Sequence, residues 1–271
     1  MHDFLKKENL LRGSGDHWKP PTYFNNTQNR QNQLKTYFYS FFDLQYSTIH
    51  RDLSKQLPHV NGSVLDVGCG LQPYRNLFPP NIRYTGIDIS ESQNHFGYQT
   101  PDTLYYSGNT WPVKNKSIDF LLCTETMEHV TNPSVFLSEA FRTLKPGGEI
   151  LITVPFATRW HFIPYDYWRY TPSSLDLLLT QAGFIDNRVY ARGNQITVIC
   201  QKIISFIYSL LTPRKSSFIF ENICRLVGVL FLPFFLIFAI LGNLTKEKNG
   251  TVDCLGFTVL ANRPNTKYKK R

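Results

Sequence analysis

The run Val64-Leu65-Asp66-Val67-Gly68-Cys69-Gly70 limits the folds open to this chain more than any other segment. An apolar strand that runs into Gly-x-Gly turns sharply, and without Cβ atoms Gly68 and Gly70 let the backbone approach a ligand closely. A second strand-like run, Arg83–Ile89, carries Asp88 near its end, 22 positions after Asp66. A carboxylate there can accept hydrogen bonds from both hydroxyls of a ribose, as in nucleotide-binding α/β sheets. The dinucleotide fingerprint G-x-G-x-x-G does not apply, because Pro73 stands where its third glycine belongs.

The chain around this motif alternates between strand and helix patterns. Ser63–Val67, Arg83–Ile89, Ile118–Cys123 and Glu149–Val154 read as strands, with a helical stretch through Leu144 and a turn at Lys145-Pro146-Gly147-Gly148. Thr171-Pro172 reads as a helix N-cap with proline at the first helical position, and Gly183 as the C-terminal cap. Phe184–Tyr190 is the next strand. Strands separated by helices imply a mainly parallel sheet covered on both faces. Residues 1–30 are polar and read as a loose arm. From Gln31 to Leu57, Leu34, Tyr37, Phe41, Leu44 and Ile49 recur at helical spacing, which predicts one helix ended by Pro58 and the Asn61-Gly62 turn.

A formal charge of +9 with only 18% charged residues suits a nucleic-acid coat poorly. It suits a globular domain that also touches an apolar, anionic surface. The five cysteines, Cys69, Cys123, Cys200, Cys224 and Cys254, show no CxxC or Cys/His ligand spacing, so neither a disulfide framework nor a metal site is expected. The N-terminus lacks the apolar run of a secretory signal, which predicts that the catalytic portion stays cytoplasmic.

Four segments, VLDVGCG (64–70), GIDIS (86–90), IDFLLCTETMEHV (118–130) and LKPGGEILITVP (144–155), together resemble the class I S-adenosylmethionine-dependent methyltransferases, type 11 group. The resemblance implies an α/β fold: a Rossmann-like, doubly wound, seven-stranded, mostly parallel sheet with an antiparallel last strand, here Leu255–Ala261. It implies that Asp66, Gly68 and Gly70, with Cys69 between them, hold the methionine end of S-adenosylmethionine. Asp88 would bind the ribose and Ile89 pack on the adenine, while Thr124 and Glu125 face the cofactor cleft. Many relatives carry an acidic residue for the adenine amino group before an LPF-like triplet. Here the triplet is Trp111-Pro112-Val113, which leaves the backbone or Asn109 for that contact.

The acceptor side is expected in residues 155–171, dense in aromatics and directly after a strand at the carboxyl edge of the sheet. His161, Pro164, Asp166, Arg169 and Thr171 form a string that resembles type 11 methyltransferases encoded with bacterial surface-polysaccharide genes. The bland reading of Asp166–Arg169 is a local salt bridge. A sugar hydroxyl is a poor nucleophile and gains from a general base; the candidates are His161, His129 and Asp166, in that order.

Between residue 195 and the last strand lie two apolar runs, Ile196–Thr212, interrupted by Lys202, and Leu226–Gly242, without charge over 17 residues. As one helix the second would span roughly 25 Å at 1.5 Å per residue, short of the ~30 Å hydrocarbon core, and Pro233 would kink it. Because strands of one sheet flank the insert, it crosses a membrane an even number of times or not at all. A two-span hairpin would put Arg214 and Lys215 outside, against the positive-inside bias. Residues 187–245 hold six basic side chains (Arg188, Arg192, Lys202, Arg214, Lys215, Arg225) against Glu221, which favours in-plane or re-entrant attachment. A soluble lid is the competing reading. The expected organisation is 1–60 arm and helix, 61–194 methyltransferase core, 195–250 apolar insert, 251–271 last strand and basic tail. The expected function is O-methylation of a glycan or lipid-linked sugar on the cytoplasmic face of a membrane, with no nucleic-acid partner. Methylation of a quinone precursor and a silent cofactor-binding scaffold are the alternatives.

Overall fold

The computed structural model describes residues 30–92, 100, 102–162, 164–213, 217–246 and 253–265. The arm before residue 30, Arg214, Lys215 and the Lys267–Arg271 tail lie outside the described residues. The strands are β1 (Ser63–Val67), β2 (Arg83–Ile89), β3 (Thr103–Tyr106), β4 (Ile118–Thr124), β5 (Leu144–Pro155), β6 (Ile185–Arg192) and β7 (Gly256–Asn262). They form one sheet in the order β3-β2-β1-β4-β5-β7-β6. β7 runs antiparallel between β5 and β6, and the pairings among β1 to β5 are parallel. The order reverses at β1, so the loops after β1 and β4 open side by side at the carboxyl edge, where such sheets bind ligands.

The twofold alternation of strand side chains divides the core. Leu65, Val67, Leu121, Cys123, Ile150 and Ile152 face one layer, built from α3 (Pro133–Thr143) and α4 (Pro172–Ala182). Val64, Phe120, Leu122 and Leu151 face the other, against Ile49 and Leu53 of α2 (Leu44–Gln56). The caps of α4 are as predicted: Thr171 Oγ1 accepts from the Ser174 amide at 3.3 Å, and Gly183 closes the helix at φ 100°.

Three local expectations change. The helix predicted over 31–57 is two helices, α1 (Arg30–Phe42) and α2, broken at Asp43. Asp43 sits in an extended conformation and its carboxylate accepts from the Tyr46 amide at 3.1 Å, so it caps α2 instead of continuing α1. β3 is a short edge strand without a strong apolar alternation, and sequence reading passes over it. The turn at 145–148 is an excursion within β5: Ile118 pairs with Leu144 but Phe120 with Glu149.

The apolar insert forms three helices, α5 (Gln195–Leu211), α6 (Phe218–Leu230) and α7 (Leu232–Thr245). The run Leu226–Gly242 is therefore divided. Pro233 has no amide proton, and its ring would clash with the carbonyl four residues back in a continuous helix. The chain breaks at Phe231, and α6 and α7 meet at a bend of 55°. Among the described residues no single helix is long and apolar enough to cross a membrane. The insert packs on the N-terminal helices: a Cβ at Gly242 would lie 2.3 Å from Leu44 Cδ1, Phe235 stacks on Phe42 at 4.8 Å, and the Leu44 amide donates to Gln201 Oε1 at 2.7 Å.

The charge surplus assigned to this region needs correction. Arg192 is fully buried, Arg188 pairs with Glu149 at 3.5 Å and Arg225 with Glu221 at 3.3 Å. Arg192 belongs to the core: Nη2 donates to Glu125 Oε1 at 2.8 Å and to the Val154 carbonyl at 3.0 Å. Gly256 makes room for it, since a Cβ there would lie 2.2 Å from Arg192 Nη2 and 2.4 Å from the Val154 carbonyl oxygen. Neither can retreat without breaking the sheet edge. Gly256→Ala should lower the unfolding free energy by about 1–3 kcal/mol, the usual cost of overpacking a filled core. Urea melts check this, and an unchanged midpoint would show that Arg192 can move.

Candidate active site

The β1 turn is set by backbone geometry. Gly68 and Gly70 have φ 69° and 49°, in the left-handed region where side chains are strained. The amides of Gly68 and Cys69 both donate to the Ile87 carbonyl, at 2.9 and 3.2 Å, which draws the turn against β2. The Gly70 amide then donates to Asp88 Oδ2 at 3.0 Å, and the Ile89 amide to Oδ1 at 2.8 Å. Each carboxylate oxygen accepts more than one hydrogen bond, so capacity for a diol remains on both. Burial raises the Asp88 pKa, opposed by these amide bonds.

Gly68, Cys69, Gly70, Asp88, Ile89, Asn109, Thr124 and Glu125 all line one cavity of about 2290 Å³. Asp66 does not. It is 2% exposed beneath the turn, where Oδ2 accepts from Tyr84 Oη at 2.6 Å and Oδ1 has no partner. Burial, with the charge of Asp88, pushes its pKa up to about 7 against the Tyr84 bond. Asp66 thus supports the turn from below and does not itself line the cavity. Cys69 lines the cavity but is 3% exposed, and burial pushes its thiol pKa far up, so it is inert. The lining fits S-adenosylmethionine: a carboxylate for a diol and the exposed Ile89 for a flat base.

Glu125 follows β4 with φ 46°, a strained conformation for a residue with a side chain. Its amide donates to the Thr153 carbonyl at 3.0 Å and its carboxylate binds Arg192, so both ends are held. Met127–His129 then form a short 3₁₀ turn, where the sequence suggested a helix. This turn carries the acceptor loop: the amides of Tyr167 and Trp168 donate to the Glu128 carbonyl, Trp168 Nε1 to the Val130 carbonyl, and Tyr170 Oη to the Met127 carbonyl.

That stapling brings His129 and His161 together with ring centroids 5.0 Å apart. His129 Nδ1–H donates to the Tyr165 carbonyl at 2.8 Å, which leaves Nε2 as the basic nitrogen. Burial pulls its pKa down to about 4, with the Tyr165 bond opposing and His161 adding to the fall. His161 Nδ1 lies 3.0 Å from Asp166 Oδ2, and Arg169 grips the same carboxylate at 2.6 and 2.7 Å. Burial works against the Asp166 charge, but Arg169 and His161 hold its pKa well below the carboxylate range. Both histidines line the cavity, whereas the Asp166 side chain is fully buried behind His161. The predicted Asp166–Arg169 salt bridge is present, and through His161 it reaches the cavity.

Glu128 is the residue whose part the sequence understated. It is fully buried, both carboxylate oxygens lack a hydrogen-bond partner, and Oε1 lies 3.7 Å from His129 Nε2. One polar atom each from Glu128, His129 and His161 falls within 4.8 Å of the others. Burial and the charge of Glu125 raise its pKa well above the ordinary value.

Two outcomes follow from this geometry. Gly68→Ala would set a Cβ 2.4 Å from the Thr126 side chain at a strained φ. Calorimetric affinity for S-adenosylmethionine should fall about tenfold or more, as a left-handed alanine costs roughly 1–2 kcal/mol. Asp66 has a folded pKa of about 7 against 3.8. Its contribution to stability is therefore full below pH 4 and is lost as pH rises through 7. Urea melts at pH 5 and pH 8 should show the native chain losing roughly 2–4 kcal/mol more than Asp66→Asn; equal slopes would contradict the assignment.

A family model described as a methyltransferase domain matches residues 41–188. The chain is 30% identical over 112 residues to a probable S-adenosylmethionine-dependent methyltransferase of Mycolicibacterium smegmatis, covering 39% of this chain and 44% of that one. It is 32% identical over 111 residues to the ubiquinone biosynthesis O-methyltransferase of Maricaulis maris, covering 36% and 42%. The chain thus spans less than half the length of these two curated relatives. Among solved structures, a SAM-dependent methyltransferase of Thermotoga maritima, described as a possible histamine N-methyltransferase, superposes with TM-score 0.50 at 17% identity, over 86% of this chain and 95% of that one. That superposition supports the fold. With the family match over more than half its length, the chain belongs to the class I S-adenosylmethionine-dependent methyltransferases.

Proposed function

We propose that this protein transfers a methyl group from S-adenosylmethionine to a hydroxyl of a glycan or lipid-linked sugar at a membrane surface. The observation that carries the reading is the meeting, in one cavity, of the Gly68–Gly70/Asp88 donor end with two histidines whose tautomers are set by Tyr165 and Asp166. When bound, the donor supplies a methyl group on a positively charged sulfur, open to in-line attack by an oxygen nucleophile. Asp88 and the glycine turn hold and orient it. His129, kept neutral by burial, offers Nε2 to take the proton from the acceptor hydroxyl. His161 is the other imidazole facing the cavity. Asp166 and Arg169 fix the imidazole of His161 and do not themselves meet the acceptor. The aromatic loop, with Tyr165 and Tyr167 on the cavity wall, stacks on a sugar ring and excludes water.

The membrane part rests on α6 and α7, whose large side chains point outward: Phe218 is 80% and Leu244 71% exposed. Exposed apolar surface of this extent marks an interaction face. A second reading, methylation of a quinone precursor, is favoured by the similarity to the Maricaulis maris enzyme.

The deciding experiment is transfer of labelled methyl from S-adenosylmethionine into membrane-lipid and polysaccharide extracts, followed by identification of the product. Label in a sugar of a lipid-linked glycan supports the reading; label in a quinone supports the second, and no label with intact donor binding leaves a scaffold. His129→Asn should lower kcat about 10²-fold or more with unchanged donor affinity. Because the His129 pKa lies near 4, kcat should stay level from pH 8 to pH 6, where an ordinary histidine base would lose activity.

A further inference from the structure

Lys202 is the charge that interrupts the first apolar run, and methyl transfer gives it no role. In the fold it is exposed on α5 and lines the same cavity as the donor residues. Lys35 on α1 lines it too, and among the described residues neither lysine has a carboxylate within ion-pair distance. Two further kinds of surface line the cavity. Gln201, Ser205 and Ser209 recur every four residues along α5 and make a polar stripe on an otherwise apolar helix. Phe38, Phe206, Phe220 and Phe235 supply an apolar wall that ends at α6, next to its exposed outer face. The volume, about 2290 Å³, exceeds what one drug-sized ligand fills, roughly 300–1,000 Å³. Room therefore remains beyond the donor for a long second molecule.

We propose that this outer half of the cavity binds the acceptor as a phosphate-bearing amphiphile: Lys35 and Lys202 take the phosphate, the α5 stripe its neighbouring hydroxyls, and the phenylalanines its chain. The proposal rests on the methyl-transfer reading and specifies its acceptor. A soluble sugar phosphate would leave the aromatic wall in water. A neutral lipid would leave both lysines without an ion-pair partner. An anion on a hydrocarbon chain answers both, and the chain can reach the site along α6 without the polar end leaving water.

The test titrates the purified full chain, with and without S-adenosylmethionine, with decyl phosphate below its micelle concentration, decyl glucoside and inorganic phosphate. Decyl phosphate should bind about tenfold or more tightly than either of the others, since a charge-assisted contact contributes roughly 1.5–3 kcal/mol. Lys35→Gln with Lys202→Gln should remove that advantage while decyl glucoside and donor affinities stay the same; both lysines are exposed, so the fold is preserved. Equal binding of decyl phosphate and decyl glucoside, inorganic phosphate matching decyl phosphate, or a double variant that keeps the preference would each overturn the proposal. Failure of S-adenosylmethionine to bind would strike the methyl-transfer reading instead, and the titrations without donor report on the amphiphile independently.

Discussion

The ion pair between Arg192 and Glu125 holds the working end of this molecule together. A guanidinium withdrawn wholly from water costs several kcal/mol unless it is matched, and a carboxylate with added hydrogen bonds is the match. Arg192 has that carboxylate and the Val154 carbonyl, and its own carbonyl accepts the Leu255 amide at 2.9 Å. One side chain at the end of β6 thereby joins β5, the entry to β7 and the turn after β4. The pair also holds Glu125 in its strained conformation. Without it the turn that follows, with Glu128 and His129, has no fixed starting direction.

Two kinds of order meet in the cavity. The glycine-turn end is local: the β1 turn and the end of β2 are neighbours in the sheet, joined by three turn amides that donate to two acceptors on β2. The histidine end is assembled from afar. His129 and His161 lie on separate loops and meet because carbonyls of the 127–130 turn accept from Tyr167, Trp168 and Tyr170. Asp166 and Arg169 then fix one imidazole, and the Tyr165 carbonyl the other. A change in the aromatic loop therefore reaches the histidines before it reaches the sheet.

What could be read from the sequence follows the same division. Strand periodicity, the glycine turn and the caps at Thr171 and Gly183 are local signals, and all are present in the fold, as is the antiparallel last strand that the family resemblance implies. The break at Asp43 was hidden because an aspartate within a helical pattern differs from an N-cap only by its backbone conformation. Asp66 was legible as important, but its burial beneath the turn depends on Tyr84, which nothing local to Asp66 announces. Arg192 was counted as a surface cation because its partner lies 67 residues away. Glu128 stands beside His129 in the sequence, yet its lack of a side-chain hydrogen-bond partner emerges only when the loop carrying His161 folds over it.

The insert inverts the usual arrangement of a helix on a soluble core. On α7 the buried residues are Ala239, Gly242 and Thr245, all small, while Phe234, Ile237, Ile240 and Leu244 are exposed. An amphipathic helix in water turns its large apolar residues inward, where burial contributes about 1.5–3 kcal/mol for each. Here small residues permit close approach to α5 and α2, and these large ones leave much of their surface uncovered by the protein. Small residues at the contact and large ones outward is the distribution of helices packed in an apolar surrounding. With Arg188, Arg192 and Arg225 each paired within the chain, electrostatic attraction to an anionic surface loses much of its force among the described residues. The attachment proposed for the insert must then be driven mainly by this outward apolar face. Of the basic residues counted there, that leaves Lys202, inside the cavity, as the described charge free to select what enters.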